Sequence, residues 1–559
     1  MVDFAELLLR AFELWRDQPE LLGHYRRRFR HVLIDEFQDT NTIQYAWMKL
    51  LVGSDGAPFA VGDDDQSIYR WRGARVENLQ TFRRDFPQAK LVRLEQNYRS
   101  TGTILEAANA LIAHNSGRLG KNLWTSGSKG EPIRLYAAFN ERDEAEFVLQ
   151  RIKDWVARGG NRRDIAILYR SNAQSRVFEE VFLSARIPYK VYGGLRFFER
   201  AEIKDALAYL RLVSSRQDDT SFERVINLPT RGIGAKSLDV IREQARTDQS
   251  SLWTAATRCV ASGSLGAKAA AAVHGFLQLI ERLAGDTRTL ALHEIVDQVI
   301  NASGLLENYR KEKAERGEAR AENLLELVSA ARGFEPEGVD GEQLPPLEAF
   351  LAHAVLESGE GQAEAWEDCV QMMTLHTAKG LEFPMVFLAG LEDGLFPHQR
   401  SLNDLDSLEE ERRLAYVGTT RAMQQLYLTY AEQRRLHGID SYGMPSRFIK
   451  EIPEELLEEV RPRVHASRGL NPYSRDAYSR DRFSSDDSAA RPGRSGPTAL
   501  RADPVAPGMK LGARVRHAKF GSGVILNIEG QGPHARVQVN FEGAGSKWLM
   551  LQYANLDPV

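Results

Sequence analysis

Short apolar runs that stop abruptly at clusters of acids and amides recur along the first hundred residues. Val32, Leu33 and Ile34 lead into Asp35 and Glu36; Phe59, Ala60 and Val61 lead into Gly62 and residues 63–66; residues 91–94 lead into Glu95, Gln96, Asn97, Tyr98 and Arg99. Apolar runs without alternation predict strands covered on both faces, as in a parallel sheet. Their polar ends then fall at the carboxyl edge of the sheet, where α/β folds bind ligands. Helical spacing over residues 4–15 precedes the first of these strands.

Between residues 101 and 200 the pattern alternates. Strands are predicted at 133–138, 165–169 and 189–194, with helices starting at 141 and covering 174–185. Such alternation predicts a doubly wound α/β domain. From 201 to 366 helical periodicity takes over, interrupted by a glycine turn at 231–236 and a predicted loop at 334–347. Strand patterns return at 370–376, 385–390 and 426–430, around a helical stretch starting at 409. The helical block is therefore expected to be an insertion in one α/β domain with halves 101–200 and 367–460, following a first α/β segment over 1–100. Residues 461–508, rich in Ser, Arg, Asp, Pro and Gly, read as a disordered linker. Four short strands at 513–516, 523–528, 535–541 and 547–551 predict a small all-β barrel over 509–559, of a size suited to interaction more than catalysis.

Composition narrows the class. At 559 residues and 43% hydrophobic the chain has room for several domains with real cores. Lys+Arg 73 against Asp+Glu 77 gives a formal charge of −4, so any nucleic-acid contact is expected from a local basic groove. The two cysteines, Cys259 and Cys369, are far apart and show no metal-ligand spacing. No apolar run reaches membrane-spanning length and no signal peptide opens the chain, so no membrane role and a cytoplasmic location are expected.

The strand ends carry the candidate chemistry. Two adjacent carboxylates after a buried strand are how a nucleoside triphosphatase holds its metal and its water: Asp35 for Mg²⁺, Glu36 to orient and deprotonate the water. The plainer alternative is a strand running into an acidic turn. Gln66 is placed to touch a γ-phosphate or its water. Tyr69 and Trp71 beside Arg70 and Arg72 suit stacking on unpaired bases, although aromatics are more often core packing. Arg99 is a candidate arginine finger or a structural ion pair, and Tyr98 a candidate base-stacking ring. Gly232, Ile233 and Gly234 before a helix offer backbone amides to a phosphate, or simply turn the chain.

Taken together, the strings at residues 35–41, 61–74, 94–100, 374–384 and 410–422 occur in one order. In that order they resemble the UvrD/PcrA/Rep family of superfamily 1 DNA helicases. The resemblance covers about residues 3–460, and the last fifty residues are similar to that family's Tudor-like module. It implies a motor of two RecA-like domains with ATP and Mg²⁺ between them, the first incomplete here, moving 3′ to 5′ on single strands in DNA repair and replication. By resemblance, Asp35 and Glu36 hold the metal and activate water, and Gln66 senses the γ-phosphate. Arg99 and Arg421 stabilise the transferred phosphoryl group, Tyr98 stacks on adenine, and Glu382 lies near the sugar. Tyr69, Trp71, Arg72 and His376 line the single-strand track, Gly232, Ile233 and Gly234 contact duplex at a junction, and the tail module binds RNA polymerase or other repair proteins. A helicase–nuclease architecture would need a carboxylate cluster with a lysine after 460, and none is present.

One family element has no counterpart. No Gly-x-x-x-x-Gly-Lys-[Ser/Thr] occurs in the sequence; Gly234, Ala235, Lys236 and Ser237 lack the first glycine and a preceding strand. The expectation is a fragment or mis-started form of a full helicase, with poor activity by itself. The alternatives are one half of a split helicase or a motor-dead protein that binds single-stranded DNA and RNA polymerase.

Overall fold

The computed structural model describes residues 4–312, 315–334, 344–359, 367–436 and 439–460, and five strands between 514 and 558. The chain divides into two compact units, residues 1–466 and 467–559. The expected linker at 461–508 lies outside the described residues.

The first hundred residues build a small layer. Strand His31–Ile34 pairs in parallel with Ala57–Ala60, and these two strands are the whole sheet among the described residues. Helices Phe4–Asp17 and Thr42–Val52 cover one face, where Val32, Ile34 and Ala60 pack on Trp15, Phe37, Tyr45 and Val52. Here the expectation of strands buried on both faces fails. Leu33 is 75% exposed and Phe59 62%, because only one face has a covering layer. Residues 91–94 do not form the expected strand either. They have no ladder partner among the described residues, and pairing nearby is limited to a bridge between Gln96 and Trp124.

The second sheet is built differently. Seven parallel strands lie in the order Leu457–Glu459, Ile133–Ala138, Ala422–Ala431, Phe383–Leu388, Ile165–Tyr169, Val370–Thr374 and Tyr189–Val191. Every residue of Ile165–Tyr169 is buried, as a strand covered by helices on both faces must be. Helices Gly102–Ile112 and Leu405–Thr419 share one core with the sheet, and Glu141–Ala157 and Ser175–Ser184 share the other. The outer strand Leu457–Glu459 was not foreseen: three residues with two glutamates give no periodic signal.

The chain leaves this sheet after Tyr189–Val191 and returns at Val370–Thr374. Between them lies a block that is helical among the described residues and has its own core, from Phe197 to Ala354. Most of the expected loop at 334–347 lies outside the described residues; its last two positions are instead helical, since a helix begins at Pro346, where proline suits the first turn. Charged contacts fasten the helix Glu315–Gly333 to the sheet side: Ser171 Oγ donates to Glu322 at 2.5 Å, and Arg176 pairs with Glu326 at 2.6 Å.

The carboxyl-terminal unit is a five-stranded antiparallel sheet ordered Gly545–Met550, Arg536–Phe541, Gly521–Glu529, Arg514–His517 and Leu556–Pro558. Its fifth strand was not foreseen. Among the described residues Val515, Ile525, Val537 and Val539 are buried on this sheet, and no pairing between its outer strands is described.

Candidate nucleotide and single-strand site

Asp35 and Glu36 stand at the carboxyl end of His31–Ile34, as the sequence implied. Both are exposed, and the Asp35 carboxylate accepts only the amide of Glu36, at 2.9 Å, among the described residues. That leaves it lone pairs for a cation. Glu36 has a left-handed backbone, φ 48°, which turns the chain sharply after the strand. Buried Gln38 donates to Glu36 at 2.5 Å and accepts the amide of Asp63 at 2.9 Å, joining the two strand ends. Gly62 permits this approach: a Cβ there would lie 2.6 Å from the Gln38 amide oxygen. Gln66 is half-buried and donates to Asp63 at 2.6 Å.

Arg99 and Arg421 come from segments more than 300 residues apart, and the fold brings them together. Helix Leu405–Thr419, capped by Asp404, ends so that Arg421 lies at the start of Ala422–Ala431. Arg421 is 2% exposed and donates to the carbonyls of Val417 and Leu381 at 3.0 and 3.1 Å. Among the described residues it pairs with no carboxylate. Burial first, and the neighbouring Arg99 second, push its pKa down to about 10. Arg99 lies 2.5 Å from Glu382 and donates to the Thr420 carbonyl at 3.3 Å. Arg99 thus forms an ion pair, and it does so beside a buried arginine that lacks an anion among the described residues. Tyr98 is 84% exposed, with only its hydroxyl bonded, to Gln96 at 3.0 Å.

The aromatic trio assembles as well. The Tyr69 and Trp71 rings lie 6.3 and 6.4 Å from His376, and the Arg72 guanidinium stacks 5.1 and 4.5 Å over Tyr69 and Trp71. Trp71 is 44% exposed, so core packing does not account for it; Tyr69 is half-buried and supports it. Burial, with Arg170 and Arg72, pushes the His376 pKa down to about 3, so this ring stays neutral. A groove of about 480 Å³ runs beside the turn, lined by Arg70, Arg75, Arg413, Asp406 and Glu409. Its charge is mixed.

The glycine turn lies elsewhere, in the helical block. Gly232 and Gly234 are exposed, Gly232 with φ 81°, but Ile233 is 1% exposed and anchors the turn in the helical core. Its side chain is therefore not a contact group, and the turn offers only the backbone around the two glycines.

Several residues absent from the sequence reading hold the site together. Arg118 forms a two-pronged pair with buried Asp65, 2.7 Å on each arm, and Lys121 pairs with Asp63. Lys379, 6% exposed, reaches from the second sheet to Asp39 at 2.5 Å and Glu36 at 3.2 Å. Runs such as residues 377–380 (Thr-Ala-Lys-Gly) carry no local sign of a partner 340 residues away.

Comparison with known proteins bears on the same residues. Residues 1–87 match the UvrD/REP helicase N-terminal domain, 92–433 the UvrD-like helicase C-terminal domain, and 511–557 the PcrA/UvrD tudor domain. DNA helicase II of Escherichia coli is 57% identical over 559 residues, all of this chain and 74% of that protein. DNA helicase II of Salmonella typhimurium matches equally, and ATP-dependent DNA helicase PcrA of Staphylococcus aureus is 39% identical over 568 residues, again 100% of this chain and 74% of that protein. The chain belongs to the UvrD/PcrA helicase family. The two helicase models of the UvrD/PcrA family meet between residues 87 and 92, just ahead of Tyr98 and Arg99. No described helix is long and apolar enough to cross a membrane.

Proposed function

We propose that the chain works as an ATP-dependent, UvrD-type DNA helicase that moves 3′ to 5′ on single-stranded DNA and opens duplex at junctions, in repair and replication. One observation carries the reading: Arg421, buried, depressed in pKa and, among the described residues, without a carboxylate partner, lies beside Arg99 in a structure that also presents Asp35 with lone pairs open to a cation. A buried cation without its anion is costly, so this arrangement fits a phosphate with its metal. When bound, Mg²⁺·ATP supplies the phosphoryl group whose hydrolysis drives movement.

The chain's own residues would divide the work as follows. Asp35 holds the metal; Glu36 orients water and accepts its proton; Gln66 reads the γ-phosphate. Arg99 and Arg421 neutralise charge, and Glu382 gives up Arg99 to do so. Tyr98 offers a free face to adenine. Tyr69, Trp71, Arg72 and His376 hold unpaired bases, and the backbone at Gly232 and Gly234 meets duplex. The domains we assign are 1–100 and the pair 101–200 with 367–460 as the two RecA-like halves, 201–366 as the helical insert, and 509–559 as a tudor module for protein partners such as RNA polymerase. The 559-residue polypeptide contains no phosphate-loop motif, and we propose that by itself it hydrolyses ATP weakly.

The test is strand displacement by the protein purified from its own cells, with its intact mass measured. ATP-dependent opening of a duplex with a 3′ tail, and not a 5′ tail, is the expected result. Normal DNA binding with no displacement would instead assign a binding protein without a motor, or a motor completed by a second chain.

A further inference from the structure

Residues 63–65 are three aspartates in a row, and their charges repel one another. The short turn Asp64–Gln66 therefore needs partners from outside itself. One loop, which follows helix Gly102–Ile112, meets each acid. Lys121 pairs with Asp63, the Leu119 amide donates to Asp64 at 2.7 Å, and the Arg118 guanidinium grips Asp65 at 2.7 Å on each arm. Arg118 also donates to the Lys121 carbonyl at 3.3 Å, which ties the loop across its own tip. Gly117 and Gly120, with φ 69° and 73°, turn the chain on either side of Arg118 and Leu119. The loop is anchored in turn on helix Leu405–Thr419, the helix that leads to Arg421. Asn115 donates to the Glu409 carbonyl at 2.9 Å and accepts Arg412 at 2.6 Å, and the Ser116 amide donates to the Glu409 carboxylate at 2.8 Å.

We propose that Arg118 is a positioning residue for Gln66. This rests on the functional reading above, in which Gln66 meets the γ-phosphate. Gln66 closes the turn that Arg118 grips, and its amide donates to Asp63, the acid that Lys121 pairs with. A two-pronged guanidinium–carboxylate pair fixes rotation as well as distance, which a point charge cannot do. Asp65 is 1% exposed, so the pair lies out of water and keeps its geometry without competition from solvent. Arg118 thereby sets the Gln66 amide against the helix that leads to Arg421. Among the described residues that amide donates to Asp63 alone, at 2.6 Å. It can exchange this bond for one to a phosphate oxygen while the turn stays gripped. Arg118 touches neither phosphate nor water in this scheme and acts through Gln66.

The measurement is steady-state ATP hydrolysis, with oligothymidylate present, by the protein purified from its own cells, unsubstituted and with substitutions introduced there. Arg118→Gln lowers kcat by at least about tenfold and leaves KM for ATP within about threefold, as loss of an interaction made in the transition state does. Gln66→Ala lowers kcat as well, and adding Arg118→Gln to Gln66→Ala lowers it less than about twofold further, because the two residues act as one unit. A residue that only stabilises the fold would cost the same factor in both backgrounds. If Arg118→Gln strands the buried Asp65 charge and the protein does not fold, Arg118→Gln combined with Asp65→Asn removes the grip without leaving a charge behind and takes its place. A kcat within about twofold of normal in the folded variant, or an equal loss with and without Gln66, overturns the positioning role. A normal kcat for Gln66→Ala overturns the reading of Gln66, and absence of ATP hydrolysis by the unsubstituted protein overturns the motor reading; either takes the positioning role with it.

Discussion

Replacing Trp71 with alanine tests the single-strand track most directly. The ring projects from the short turn Arg70–Arg72, 44% exposed, with one face toward solvent and Arg72 stacked 4.5 Å from its centroid. It makes no backbone bond that the fold needs, so the variant should melt within a few degrees of the parent. Base–aromatic stacking is worth roughly 1–3 kcal/mol per base, which is about 5- to 150-fold in Kd. Trp71→Ala should therefore weaken an oligothymidylate by at least fivefold, and Trp71→Phe should recover most of the loss. Salt dependence separates stacking from charge. Each phosphate contact on a single strand contributes a slope of about −0.7 in log K against log salt. Trp71→Ala should leave that slope unchanged, whereas Arg72→Ala should reduce it by about one such increment if the guanidinium meets a phosphate. Fluorescence anisotropy over a series of salt concentrations measures both quantities. Binding by Trp71→Ala within twofold of the parent, or a loss accompanied by a shallower slope, would refute the argument that this ring is a stacking platform.

Three further outcomes follow from charge and burial. Arg421→Gln should abolish the rise in melting temperature that millimolar Mg²⁺·ATP gives the unsubstituted chain, because this cation, its pKa depressed by burial and Arg99, lacks an anion among the described residues; a scan with and without nucleotide decides it. His376 is held near pKa 3 in the folded chain but titrates near 6.5 when unfolded, so the unfolded chain takes up the extra proton and the folded chain loses stability as pH falls below about 6.5. The loss is about 2 kcal/mol at pH 5 and is absent in His376→Gln, which denaturant titrations at pH 5 and 8 can compare. Arg434, buried between Glu144 and Glu392 with the latter at 2.7 Å, should cost about 3–5 kcal/mol when changed to methionine, because two buried carboxylates lose their cation. Denaturant titration of the variant beside the parent measures the deficit, and a loss below about 1 kcal/mol would exclude this cause.

What the sequence revealed, and what it hid, follows from the range of each interaction. The order of strands and helices over 133–191 and 370–431 was legible because each apolar run is covered on both faces, and burial leaves a continuous pattern in the residues themselves. The same rule misread residues 31–34 and 57–60. Their branched residues look equally suited to a core, yet Leu33 and Phe59 face outward, because composition records which residues can be buried and not whether a covering layer is present. Candidate site residues were legible where several polar side chains follow one strand, as at Asp35, Glu36 and Gln66. Their partners were not. Lys379, Arg118 and Lys121 are single cations in turns, and what makes them part of the site is a carboxylate brought to them from tens or hundreds of residues away.

Those same long-range pairs bear on the mechanism. Asp63, Asp65, Asp39 and Glu36 on the first segment each meet a cation from beyond residue 117, and the four pairs account for most of the charge at the carboxyl ends of the first two strands. Three of them use acids that the proposed chemistry leaves free, so they can persist while the site works. The fourth engages Glu36, the acid that the proposed reaction requires.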